Sequence, residues 1–257
     1  MKASDVEARL SLVRERLAQA RRVVVLTGAG ISAESGVPTF RGEGGLWHEY
    51  RAVDLATPEA FGRDPRLVWE FYNWRRAVLA PLAPNPGHEA LVWMEERLPH
   101  FTLITQNIDG LHEKAGSRNI VELHGNIWYV RCLGCGRVTE DRSVLPPLPH
   151  CAVCGELLRP HVVWFGEPLD PHVLKRAYEA VQGADVMMVV GTSGTVEPAA
   201  SMGMSAKRNR AFVVEINLEP TPFTGIYDVS LHGKSGEILP GLREIPLSPC
   251  LILNRPL

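Results

Sequence analysis

The chain has 257 residues, 45% of them hydrophobic and 22% charged, a balance that suits a compact protein with one large core or a core plus a subsidiary domain. Lys and Arg number 27 against 29 Asp and Glu, which shows neither the basic footprint of a nucleic-acid binder nor an acidic solvating tail. No apolar run approaches the ~20 residues that span a bilayer, and the amino-terminal stretch MKASDVEARL has acidic residues where a secretion signal needs an apolar core, so a cytoplasmic protein without a membrane partner is expected.

In chain order, Ser4 with Glu7 gives a capping-box pattern, and Val6, Leu10, Val13 and Leu17 follow at helical spacing, predicting an amphipathic first helix. RVVVLTGAG is then a β-branched run ending in glycines, and FTLIT (101–105), VMMVV (186–190) and AFVVEIN (211–217) repeat the type. These read as buried parallel strands. Helical patterns fall between them at 64–80, 87–98, 171–182 and 197–208, the alternation of an α/β fold with a doubly wound parallel sheet. Residues 36–50, GVPTFRGEGGLWHEY, read as a mobile loop. Pro-rich, aromatic and Cys-rich stretches at 33–82 and 126–165 predict a smaller domain formed by two insertions, which leaves 1–32, 83–125 and 166–257 for the larger one.

Two stretches carry chemistry directly. Gly28, Gly30 and Ala33 form a G-x-G-x-x-G/A pattern after a strand, where a glycine turn lets backbone N–H groups approach a pyrophosphate, although glycine turns at strand ends are also common without a ligand. Cys132, Cys135, Cys151 and Cys154 form two C-x-x-C turns, the spacing of a structural zinc site in a reducing compartment. Four thiolates leave no open position for water, so such an ion would not activate a nucleophile. Free thiols or a redox pair are the alternative. Cys250 stands alone and reads as a small apolar residue.

TQNIDGLHEKAG (105–116), ELHGNIW (122–128) and GTSGTVEPAA (191–200), taken with GAGISAESGVPTFR and the paired cysteines in this order, resemble the sirtuins, the NAD-dependent protein lysine deacylases. The resemblance covers roughly residues 20–240. It implies a Rossmann-like large domain, a zinc-binding small domain, and a cleft between them where NAD, consumed as a cosubstrate, meets an acyl-lysine protein or peptide. His124 matches the general base, with Asn107 beside it in the catalytic set. Gly28, Ala29, Gly30, Ala33, Phe40, Arg41 and Trp47 match the cofactor loop, with Phe40 shielding the ribose C1′ from water. Gln106, Asn107, Ile108 and Asp109 match the ribose and nicotinamide contacts; without the family they read as a polar turn. Gly191, Thr192 and Ser193 are assigned to phosphate and ribose, and Asn217, Leu218 and Glu219 to the adenosine side, with a surface acid as the alternative at Glu219. Ser235 is a weaker assignment on the same side. Val163, Phe165, Gly166 and Glu167 match the peptide-binding edge.

By the same resemblance the acyl oxygen attacks C1′, nicotinamide leaves, His124 deprotonates a ribose hydroxyl, and water releases lysine and O-acyl-ADP-ribose, formally a transferase reaction. Tyr72 and Arg75, three apart in a predicted helix, match the Tyr-x-x-Arg pattern of the sirtuin class that accepts succinyl and malonyl groups; the bland reading is a surface cation-π or salt-bridge contact. A desuccinylase and demalonylase that retains deacetylation is therefore expected. Two rivals stand beside it. A zinc-ribbon nucleic-acid module would need a basic face of which SAKRNR is the only hint, and a mono-ADP-ribosyltransferase would use the same pocket with another acceptor. The sequence does not set the oligomeric state, and a monomer is compatible with it.

Overall fold

The computed structural model describes residues 3–38, 46–47 and 50–245. Phe40, Arg41 and Cys250 lie outside the described residues, as does most of the 36–50 loop. The strands are β1 Arg22–Thr27, β2 Leu46–Trp47, β3 Tyr50–Arg51, β4 His100–Thr105, β5 Ile120–Glu122, β6 Gly125–Cys132, β7 Val138–Glu140, β8 Leu158–Val162, β9 Val186–Val190, β10 Phe212–Asn217 and β11 Val229–His232. The helices are α1 Ala3–Gln19, α2 Ala29–Ala33, α3 Ala52–Leu55, α4 Pro58–Arg63, α5 Pro65–Leu79, α6 Pro86–Glu95, α7 Leu111–Ala115, α8 Pro171–Gln182, α9 Ala199–Arg208 and α10 Ser235–Ile238. Helix α1 begins at Ala3, so Ser4 lies inside its first turn and does not precede it as a cap. None of the helices is long and apolar enough to cross a membrane among the described residues.

Six strands form one parallel sheet in the order β11-β10-β9-β1-β4-β5. Strand β1 pairs with β4 on one side and β9 on the other, so the chain winds outward in both directions and leaves a switch point at the carboxyl end of β1. Alternation along β1 assigns the two faces. Val23 and Val25 join Leu10, Val13 and Leu17 of α1 and Leu91 and Met94 of α6 in one core; Val24 and Leu26 join Ala177 and Val181 of α8 and Met202 of α9 in another. The four strands expected from β-branched runs are all present, and the short strands β5 and β11 extend the sheet at its two edges.

A second sheet, antiparallel in the order β7-β6-β8, carries the paired cysteines at one end. Helices α4 and α5 share its core. Phe61, Trp69, Phe71 and Tyr72 pack with Ile127, Val130, Val162 and Trp164 in one cluster. Asp64 caps α5 by accepting from the Leu67 amide, and Pro65 occupies the first turn, where its missing N–H costs nothing.

Candidate active site

The switch point is closed by three glycines. A Cβ on Gly28 would lie 2.8 Å from the Gly191 carbonyl oxygen, one on Gly30 2.7 Å from Gly191 Cα, and one on Gly191 2.5 Å from the Ile31 nitrogen. Backbone must meet backbone here, so side chains are excluded. The Gly28 amide donates to Val190 O at 3.0 Å and the Gly30 amide to Gly191 O at 2.8 Å. The two glycine N–H groups therefore knit β1 to β9, so they are not themselves the donors of the turn that are open to a ligand. Ala29, between them, is the first residue of α2. The carboxyl ends of β1 and β9, free of bulky side chains at this crossing, fit the phosphates of a dinucleotide, which doubly wound sheets hold at this place. Thr192 accepts from Gln106 Nε2 at 3.0 Å, and the Ser193 and Thr195 hydroxyls lie 2.9 Å apart. Ala33 is exposed at the end of α2, and Trp47 lies in the short β2–β3 pairing.

The turn after β4 is held from several directions. Gln106 N donates to Thr27 O at 3.0 Å, one residue past the Thr27–Thr105 register pair. Asn107 Nδ2 donates to Gly28 O at 3.0 Å and Ser32 Oγ at 3.2 Å, and Ile108 O accepts from Ile127 N at 2.9 Å. Asp109 is buried and accepts from the Leu111 amide at 2.8 Å. Burial raises its carboxyl above the usual range, while the Leu111 amide, the Ser32 hydroxyl and the nearby Arg75 charge act to lower it. His124 sits in the turn from β5 to β6 with Nδ1 2.9 Å from Gln106 O. A carbonyl can only accept, so Nδ1 carries the proton and Nε2 is left bare to take one. Burial lowers the His124 pKa, and the Gln106 carbonyl acts against that.

The four cysteine sulfurs lie within 4.8 Å of one another. Cys132 and Cys154 are 3.3 Å apart and Cys135 and Cys151 3.8 Å, too far for disulfides and near the ~3.8 Å edge of a tetrahedron with zinc–sulfur bonds of about 2.3 Å. The Cys154 and Val153 amides pull the Cys151 thiol down to about 6 and the Cys135 amide lowers Cys132, whereas Cys154, beside the Cys132 sulfur, is pushed up to about 11, so without an ion the cluster holds protons that a metal would displace. The donor set fits structural zinc.

This metal end reaches the turn after β4 through β6. Trp128 Nε1 donates to Asp109 O at 2.8 Å, and its ring packs so closely on Gly110, at φ +75°, that a Cβ there would lie 2.7 Å from Trp128 Cδ1. The guanidinium carbons of Arg76 and Arg142 lie 5.3 and 5.4 Å from the same ring. Arg76 is 4% exposed and donates to the carbonyls of Ile127 at 3.2 Å, Ser143 at 2.9 Å, and Asp141. Sequence reasoning missed Arg76, although a signal was present. Trp69, Tyr72 and Leu79 define the buried stripe of α5, and Arg76 falls on it.

Tyr72 is buried and accepts from Trp164 Nε1 at 2.9 Å. Burial raises its phenol to about 12, so it stays neutral and keeps a proton to donate. Arg75 is half-buried, with its guanidinium carbon 5.7 Å from the Phe71 ring. Burial lowers its pKa while Tyr72 and Asp109 act to raise it. Val163 N donates to His124 O at 2.9 Å, Phe165 is 50% exposed, and Gly166 has φ +86°. Glu167 has a different task from its neighbours: its carboxylate accepts from Arg159 at 2.6 and 2.9 Å and from the Trp164 amide at 2.9 Å, which fixes the edge itself. Asn217 Nδ2 donates to Glu219 O at 2.8 Å, Leu218 is exposed, and Ser235 is buried at the start of α10.

A sequence profile of the Sir2 family matches residues 28–198. An NAD-dependent protein deacylase of Aquifex aeolicus is 54% identical over 225 residues, 87% of this chain and 93% of that protein. Among solved structures, a Sir2 homolog in complex with NAD has TM-score 0.86 and 48% identity, covering 91% of this chain and 92% of that one. A Sir2 variant with a deacetylated p53 peptide and 3′-O-acetyl-ADP-ribose has TM-score 0.81 and 31% identity, covering 96% of this chain and all of the other. The glycine crossing, the histidine turn and the four-cysteine sheet occur together on this fold because the chain belongs to the Sir2 family.

Proposed function

We propose that the protein is an NAD-dependent protein lysine deacylase with structural zinc, acting on acyl-lysine proteins or peptides in a cleft between a large domain (1–32, 83–125 and 166–257) and a small one (33–82 and 126–165). The observation that carries this is His124: a half-buried imidazole whose Nδ1–H is fixed on Gln106 O and whose bare Nε2 can accept a proton. NAD supplies an electrophilic ribose carbon and the hydroxyls that take over the acyl group. The chain's own residues orient and exclude. Asn107 and Asp109 hold the nicotinamide ribose, Thr192 and Ser193 the phosphates, and Asn217 to Glu219 the adenosine. His124 takes the proton from a ribose hydroxyl, and the Val163–Phe165 edge receives the peptide as an added strand.

The acyl preference we infer is acidic. A succinyl or malonyl carboxylate would meet a desolvated Arg75 guanidinium and a neutral Tyr72 hydroxyl whose oxygen already accepts from Trp164, leaving its proton for the ligand. Asp109 already opposes the Arg75 charge electrostatically, so the carboxylate adds to an existing balance. Bidentate contact with arginine plus one hydrogen bond is worth roughly 1.5–3 kcal/mol, or about 10- to 150-fold in kcat/KM.

The test is kcat/KM for succinyl- and acetyl-lysine peptides with NAD, for the wild type, Arg75→Met and Tyr72→Phe. Arg75→Met should lose succinyl activity selectively; equal losses on both substrates, or a wild type that ignores succinyl-lysine, would remove the clamp. Labelled NAD separates the two functions: label recovered in O-acyl-ADP-ribose supports the deacylase, and label on protein supports a mono-ADP-ribosyltransferase.

A further inference from the structure

Below Asn107 lie two buried histidines without a task in the scheme above. His88 and His112 are 0% and 3% exposed, with ring centroids 4.8 Å apart. The Asn85 amide donates to His88 Nδ1 at 3.3 Å, so that nitrogen is bare and the proton is on Nε2, facing Ser32 Oγ at 3.4 Å. Ser32 Oγ in turn accepts from Asn107 Nδ2. His88 thus ends one hydrogen-bonded chain on the Asn107 side chain.

His112 ends a second chain on the Asn107 backbone. Its Nε2 lies 2.9 Å from Thr27 Oγ1; the Thr27 hydroxyl donates to Thr105 Oγ1 at 2.9 Å, and Thr105 Oγ1 accepts the Asn107 N–H at 3.1 Å. Thr27 has one proton and gives it to Thr105, so its oxygen must accept from His112, which therefore carries its proton on Nε2. His112 Nδ1 is left without a hydrogen-bond partner. The other tautomer would bury an unpaired N–H donor in its place, the rarer kind of orphan in folded proteins. Burial pushes both imidazoles below their ordinary range, His88 to about 4, so both are neutral at pH 7 and these proton positions persist.

We propose that His112 is a positioning residue for the reaction: donating to Thr27, it orients the Thr27–Thr105 hydroxyl pair, which holds the Asn107 backbone and with it the Asn107 side chain. The proposal rests on the reading of Asn107 as an NAD contact. An apolar side chain at 112 would free the Thr27 hydroxyl to rotate away from Thr105, and the Asn107 backbone would lose the oriented hydroxyl that accepts its N–H. A purely structural histidine in α7 would show itself in stability alone.

The experiment measures NAD binding by calorimetry, together with acyl-peptide binding and Tm, for the wild type, His112→Leu, His112→Gln, Thr27→Val and the His112→Leu/Thr27→Val double variant. His112→Leu should weaken NAD binding about tenfold, the scale of one buried hydrogen bond lost with its partner left in place, with acyl-peptide affinity unchanged. Gln carries an amide N–H near the Nε2 position and should restore affinity to within about threefold. The double variant should be no weaker than the weaker single one, since both cut the same chain. NAD affinity unchanged in His112→Leu, losses that multiply in the double variant, or a Thr27→Val protein that binds NAD normally would each overturn the proposal. Thr27→Val, a β-branched replacement within a strand, keeps the test available if His112→Leu does not fold. A wild type that binds NAD but turns over no acyl-lysine peptide would defeat the deacylase reading and leave these binding arms intact.

Discussion

Strands β9 and β7 have opposite surroundings. Every residue of β9 is buried between helices on both faces of the parallel sheet, whereas all three residues of β7 are exposed on the edge of the small sheet. The difference extends to the ends of the two sheets. At the carboxyl edge of the large sheet, order comes from packed backbone, where Gly28, Gly30 and Gly191 interlock. At the cysteine end of the small sheet, Leu133 and Val153 are 52% and 65% exposed and there is little apolar surface to bury, so the ion must supply what a core would. The proposed function would draw on both, because Trp128 carries the small sheet's position to the Asp109–Gly110 turn, beside the proposed nicotinamide ribose site.

The most severe way to break the comparison is to remove the metal. Zinc contributes on the order of 10 kcal/mol to the folding of small ribbons, so chelation or Cys132→Ala should unfold the β6–β8 ribbon, release Trp128 from Asp109 and abolish turnover, while the parallel sheet survives. Circular dichroism, metal analysis and a peptide assay on the same sample check this. A metal-free protein that keeps turnover within about tenfold of the zinc form would contradict the dependence.

The next largest effect belongs to the large sheet's side. His124→Ala should lower turnover by about 10² or more, the usual scale for a lost general base, with the fold and NAD affinity kept. The contrast with zinc removal is the useful part: one change loses chemistry with structure intact, the other loses structure first. Near-normal turnover in His124→Ala, measured beside NAD binding by calorimetry, would take His124 out of the mechanism.

What the sequence revealed follows the same division. The four longer strands of the parallel sheet were legible because β-branched runs bounded by glycine have few other uses, while β5 and β11, three and four residues long, lack enough residues to show a period, and β6, eight residues long in the small sheet, was not read as a strand. The paired cysteines were legible from spacing alone. The supporting contacts of the site were not. Arg76 and Trp128 meet across 52 positions of sequence, and the chain from His112 through Thr27 to Thr105 joins three separate elements. Such contacts are made by topology, and only the misplaced charge on the apolar stripe of α5 hinted at one of them.

The smallest predicted effect concerns pH, and it separates chemistry from stability by sign. Burial lowers His88 to about 4 and pushes His112 well below its ordinary 6.5, so below pH 6.5 the unfolded chain binds more protons than the folded one. Stability from these two is present above 6.5 and is lost as pH falls through the window toward 4. Glu122, raised to about 7 by burial, acts in the opposite direction: the folded chain keeps a proton that the unfolded chain releases above about 4.5, so its contribution is present at low pH and is lost as pH rises through 7. His124 is also lowered by burial, so its bare Nε2 should stay available down through pH 6.5. Between pH 8 and 6.5, kcat should therefore fall by less than about twofold, with its acid limb below 6.5, provided Tm measured at each pH shows the protein folded. An acid limb above pH 6.5 in folded protein would mean that the titrating base is not a buried His124, and that the turn beside Gln106 is more open to water than its geometry shows.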